Sequence, residues 1–131
     1  MTVSPRDRKR VFERDGGRCV ACGTEYGLTV QHRANRGAGG SKSAESMDNY
    51  LLMCWHENTA LEASSAFARK GRAYGWKCSR NQVTPPGDVP VWYSVERAWF
   101  YLDSDGTRLR PFDREQEVLT CAAQEQLQAA A

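Results

Sequence analysis

At 131 residues with 40% hydrophobic composition, the chain suits one domain with a modest core. Apolar runs are only a few residues long and the first residues are polar and basic, which excludes a membrane span and a secretory signal. The net charge of +2 is unevenly placed: residues 1–80 carry fourteen Lys and Arg against eight Asp and Glu, and residues 81–131 carry four against eight, so the N-terminal part suits a polyanion.

Ser4-Pro5-Arg6-Asp7 predicts a helix start, with Ser as cap, Pro at the first position and Asp in the first turn. The helix should run to about Asp15 and stop at Gly16-Gly17. Val11 and Phe12 make a thin apolar face, and Arg6, Arg8, Lys9, Arg10 and Arg14 make it basic. Cys19-Val-Ala-Cys22-Gly23 has the form of a metal knuckle, two thiolates held on a tight turn. Five cysteines without a signal peptide argue against a disulfide framework, and no βαβ context supports a redox pair.

Leu28–Arg33 alternates as a strand, with Val30 and His32 on one face and Gln31 on the other. Residues 35–48 form a long polar loop, and loops of this length in small domains are usually functional or mobile. Tyr50–Met53 is a short apolar run, strand or turn. Cys54 follows as the evident third zinc ligand. For the fourth, His56 is chemically favoured, Glu57 sits at strict Cys-x-x-Cys spacing, and Cys78 is a further alternative. One helix is expected from Glu57 to about Tyr74, acidic at its start, basic at its end and closed by Gly75.

Beyond Pro85-Pro86-Gly87 the character changes. Val89–Tyr93 and Ala98–Leu102 are strand-like and aromatic-rich, Asp103-Ser-Asp-Gly106 signals a hairpin turn, and Thr107–Arg110 should return as a strand. Asp113–Gln128 is expected to be helical. These elements describe an α+β protein with a core over 1–80 and, over 81–131, a β-hairpin extension and terminal helix packed on or beside it.

Residues 10–76 resemble the HNH endonuclease family, the ββα-metal nucleases, and most closely the small versions encoded by bacteriophages. The resemblance rests on the run from Glu13 through Cys19 and Cys22 to Gly23, on Leu28–Arg33 around His32, on the Arg36–Lys42 loop and on Asp48-Asn49 leading to Cys54. It implies a zinc-stapled ββα-metal core and hydrolysis of DNA phosphodiesters. His32 would be the general base that takes a proton from water, and Asn49 would orient that histidine and hold the loop. A catalytic Mg²⁺ or Mn²⁺ would lie near the third motif position, assigned here to Asn58 with His56 left to the structural Zn²⁺. If the second knuckle is shortened, His56 takes that position instead. Gln31, standing where relatives often have Asp or His, would offer the ion a weaker oxygen. Arg6, Lys9, Arg10, Arg33, Arg36 and Lys42 would contact DNA. The resemblance further implies a cytoplasmic location in a bacterial host and a phage terminase as partner. A binding module of the same fold that no longer cuts is the alternative.

Overall fold

A computed structural model describes residues 3–34, 45–79 and 84–115. Helix α1 (Pro5–Arg14) starts as its sequence dictates: the Ser4 hydroxyl accepts the Asp7 N–H at 3.1 Å, which satisfies one of the unpaired amides of the first turn. Gly16 and Gly17 follow the helix with φ near +70°, a region that costs glycine little. Val11 is fully buried while Phe12 is half exposed, so α1 docks through a narrow stripe.

Strands β1 (Leu28–His32) and β2 (Tyr50–Cys54) form an antiparallel pair, running in register from Leu28 opposite Cys54 to His32 opposite Tyr50. Every residue of β2 is buried, because the strand is covered on both faces. Leu51 and Met53 pack with Cys19, Val20, Leu61, Trp76, Val91 and Tyr93. Tyr50 and Leu52 pack with Val3, Val11 and Met47. This explains a continuous apolar run where a half-exposed strand would alternate.

Helix α2 (Trp55–Ala63) follows β2 directly, and α3 (Ser65–Ala73) follows α2. The single helix expected over 57–74 is thus two. Ser64 leaves the helical region (φ −115°, ψ 119°), and its hydroxyl caps α3 by accepting the Phe67 N–H at 3.2 Å. Serine competes in this way with helix continuation. The two helices fold together closely enough that a Cβ on Gly71 would lie 2.3 Å from Leu61 Cδ2.

The C-terminal strands β3 (Val91–Tyr93), β4 (Ala98–Leu102) and β5 (Arg108–Leu109) make an antiparallel sheet in that order. The Asp103–Gly106 turn closes as its sequence signals, the Asp103 carboxylate accepting the N–H groups of Asp105 and Thr107. Val91, Tyr93, Phe100 and Leu102 enter the same core as Leu51 and Met53. Tyr74, Trp76, Trp92 and Trp99 form a run of neighbouring rings between α3 and this sheet. Residues 111–115 are helical, and the rest of the expected terminal helix lies outside the described residues. Among the described residues, no helix is long and apolar enough to cross a membrane.

Two buried charged groups join these layers. Arg14 donates to Met47 O (2.7 Å) and Tyr50 O (2.6 Å) and pairs with Asp15. Asp15 in turn accepts from Leu52 N (3.0 Å) and from the Tyr93 hydroxyl (2.5 Å). Burial raises the Tyr93 phenol well above its ordinary value, and Asp15 pushes the same way.

Candidate metal centre and histidine site

The knuckle is shaped by its backbone. Cys19 N donates to Thr24 O, Gly23 N donates to Cys19 O at 2.8 Å, and Val20 N ties the turn to Leu52 O. Gly23 takes φ +81°, which lets the turn double back. Cys54 arrives at the end of β2 and caps α2, its sulfur accepting the Glu57 N–H at 3.4 Å. Cys19, Cys22 and Cys54 then offer sulfurs that all lie within 4.8 Å of one another. Cys22 Sγ and Cys54 Sγ are 3.8 Å apart. That is too far for a disulfide. It matches the edge of a tetrahedron whose corners lie 2.3 Å from a Zn²⁺, roughly 3.8 Å.

The donor set therefore fits a thiophilic metal ion such as zinc. Desolvation on its inner side pushes the Cys22 thiol up to about 12, helped by the neighbouring Cys19 and Cys54 sulfurs and opposed by a backbone contact at Thr24. A dication among the three sulfurs would reverse that balance. His56, Glu57 and Cys78 are not part of the group. His56 is exposed on α2, edge-on to the Trp55 ring at 5.5 Å. Cys78 is buried, in a residue that bridges to Ala34. His56, expected as fourth ligand, is thus not among the side chains brought together with the three cysteines.

His32 ends β1, directly across from Tyr50, and the two rings meet edge to face at 5.3 Å. Its Nε2 lies 3.0 Å from Glu45 Oε1, and the other oxygen of Glu45 accepts the Tyr50 hydroxyl at 2.8 Å. Asn49 is fully buried beneath the turn. It accepts the Ala34 N–H (2.9 Å) and donates to the Ala34 carbonyl (3.0 Å), while its own carbonyl accepts Arg33 N–H at 2.7 Å. Asn49 thus fixes the backbone immediately after His32.

Other expected site residues lie elsewhere. Gln31 is buried on the opposite face of β1 from His32 and donates to Trp76 O at 2.8 Å, so strand alternation removes it from the histidine face. Asn58 is half-buried in α2. The carboxylate bonded to His32 is that of Glu45, and among the described residues no group of three His, Cys, Asp or Glu side chains gathers there.

Arg33 is 1% exposed and cannot reach DNA. Its guanidinium donates to the carbonyls of Gly75, Asp48, Pro86 and Val89 at 2.8–2.9 Å, a structural clamp rather than a phosphate contact. Burial lowers its pKa from the ordinary arginine value. Arg6 and Lys9 are exposed on α1. Arg10 reaches the Asp105 carbonyl and Asp7. Arg36 and Lys42 lie outside the described residues.

Sequence reasoning missed Glu45. Its only signal was an acidic side chain in the polar stretch between His32 and Asn49, where spacing does not say which way a carboxylate turns. No protein-family model, curated protein or solved structure matches the chain.

Proposed function

We propose that the chain is a DNA endonuclease of the HNH type, stapled by one Zn²⁺ at Cys19, Cys22 and Cys54. The observation that carries this reading is the coupling of His32 to the Asn49 clasp at one end of a β-hairpin whose other end enters the three-cysteine group. The order strand, strand, helix over β1, β2 and α2 supports it. So do the exposed cations Arg6 and Lys9 on α1.

In this reading His32 takes a proton from the attacking water, a role that a neutral imidazole performs near pH 7. Asn49 keeps the residue after His32 in place, so the base does not drift from its phosphate. A divalent Mg²⁺ or Mn²⁺, when bound, would neutralise charge at the scissile phosphate. That ion is implied by the resemblance alone.

The test is conversion of supercoiled plasmid to nicked and linear forms with Mg²⁺, with Mn²⁺ and with EDTA. His32→Ala should lower the divalent-dependent rate by about 10²–10⁴-fold while leaving zinc content and DNA retention unchanged. A binding-only module is the second reading, favoured by Gln31 turning away from His32. It predicts DNA retention without cleavage at any metal concentration.

A further inference from the structure

We infer that Glu45 is the positioning residue of His32: it assigns the imidazole proton to Nε2 and leaves Nδ1 as the nitrogen that acts as base. The inference rests on the nuclease reading for its catalytic half and on geometry alone for its structural half.

Three side chains close a triangle here. His32 and Tyr50 are cross-strand partners, so their spacing is set by the β1–β2 register. Glu45 reaches back from the segment before the Met47–Asn49 turn and uses both oxygens, one on His32 Nε2 at 3.0 Å and one on the Tyr50 hydroxyl at 2.8 Å. Tyr50 is 2% exposed, and the side chains of His32 and Glu45 are 16% and 14% exposed. An ionised carboxylate has no proton to give, so the proton between Glu45 and His32 belongs to the imidazole. The Tyr50 hydroxyl, a donor to the second oxygen, keeps the carboxylate from rotating away. A ring held at Nε2 and packed edge-on against Tyr50 has one nitrogen left for chemistry, which is Nδ1.

The step balances without a further reactant. Water gives a proton to Nδ1 and its oxygen bonds to phosphorus. The bond from phosphorus to the leaving sugar oxygen breaks, and that oxygen takes a proton from solvent water. The hydroxide so formed removes the proton from the imidazolium. The Glu45 carboxylate faces the imidazolium while it exists, the arrangement by which a buried acid orients and supports a histidine base.

The chain contains two histidines, His32 and His56, so in a His56→Gln background one imidazole remains. In that background, ¹⁵N-edited NMR should show a downfield Nε2–H proton protected from exchange. It should persist in Glu45→Gln, whose amide oxygen still accepts, and vanish in Glu45→Ala. A proton found on Nδ1, or an unchanged Nε2–H signal in Glu45→Ala, overturns the assignment whatever the protein does to DNA.

Plasmid cleavage supplies the second readout. Glu45→Ala should lower kcat by about ten- to a hundredfold with KM nearly unchanged, the size expected for an outer-shell partner, and Glu45→Gln should restore part of it. Parental kcat in Glu45→Ala overturns the catalytic half. A parent that cuts no DNA overturns the nuclease reading itself and with it that half, while the NMR result still decides the pairing. Zinc content matched to the parent separates a positioning defect from a misfolded chain.

Discussion

Asn49 grips Ala34 with both ends of its carboxamide, accepting the Ala34 N–H at 2.9 Å and donating to the Ala34 carbonyl at 3.0 Å. Asn49 is fully buried and Ala34 half-buried, so water competes poorly for these backbone groups. Asn49→Asp removes the donor and sets an anion beside a carbonyl. It should cost about 2–4 kcal/mol, combining an unsatisfied carbonyl with a buried charge. Urea midpoints of parent and variant check this, and cleavage should fall even where the variant remains folded, because the grip on Ala34, two residues after His32, is loosened.

Metal removal tests the three-cysteine group. Purified chain should carry about one zinc, since tetrahedral ligands fill a single site. Chelation should lower the melting temperature, because binding to the native site is folding free energy. Cys22→Ser should lose the metal, whereas His56→Ala and Cys78→Ser should keep it, as neither residue belongs to the group. Zinc lost from His56→Ala would restore the sequence-based assignment and show that α2 repacks around the ion.

Local chemistry was legible where it decides structure by itself. The Ser4 cap, the Asp103–Gly106 turn and the Cys19–Cys22 knuckle all form as their residues dictate. What could not be read was set by tertiary direction. Ser64 breaks one expected helix into two because α3 must fold back onto α2 at Gly71. Gln31 and Arg33 looked like site residues by position beside His32. Their hydrogen bonds to the Trp76, Gly75, Pro86 and Val89 carbonyls depend on where segments more than forty residues away come to rest. Glu45 joins His32 for the same reason, through a loop whose path no spacing rule fixes.

Arg33 should behave as a clamp rather than a DNA contact. Arg33→Lys removes the planar fork that reaches Asp48, Gly75, Pro86 and Val89; Pro86 keeps the Val89 N–H, but the buried Gly75 carbonyl and the half-buried Asp48 and Val89 carbonyls lose their guanidinium donors. Each orphaned carbonyl costs about 1–3 kcal/mol, enough together to unfold a domain stable by about 5–15 kcal/mol. Thermal melts should show this, with little soluble variant recovered. Arg6→Ala and Lys9→Ala should instead leave the melting temperature alone and each reduce the salt dependence of DNA affinity by about one ion. A stable Arg33→Lys protein with a reduced salt slope would reverse the assignment.

The Tyr93–Asp15 bond predicts how stability depends on alkaline pH. Tyr93 donates to Oδ1 of the buried Asp15 carboxylate at 2.5 Å, and Arg14 donates to both oxygens of that carboxylate. Burial first, and Asp15 second, raise the phenol's pKa well above its ordinary value in the folded chain. In the unfolded chain the phenol titrates near pH 10. The sign follows from which state holds the proton. Below about pH 10 both states are protonated and the contribution is complete; above it the unfolded chain releases a proton that the folded chain keeps, so stability falls as pH rises. Tyr93→Phe removes both the bond and the titrating group. It should be less stable than the parent at pH 7 by about 1.5–3 kcal/mol, the worth of a hydrogen bond to a charged acceptor. Its urea midpoint should then decline less steeply between pH 9.5 and 11, so that the two curves converge; the interval brackets the unfolded phenol's value of about 10. The other four tyrosines and the lysines titrate in both proteins and cancel in the difference. Parallel curves across that interval would mean that Tyr93 ionises in the folded state as readily as in the unfolded one, and that the phenol does not depend on Asp15 for its proton.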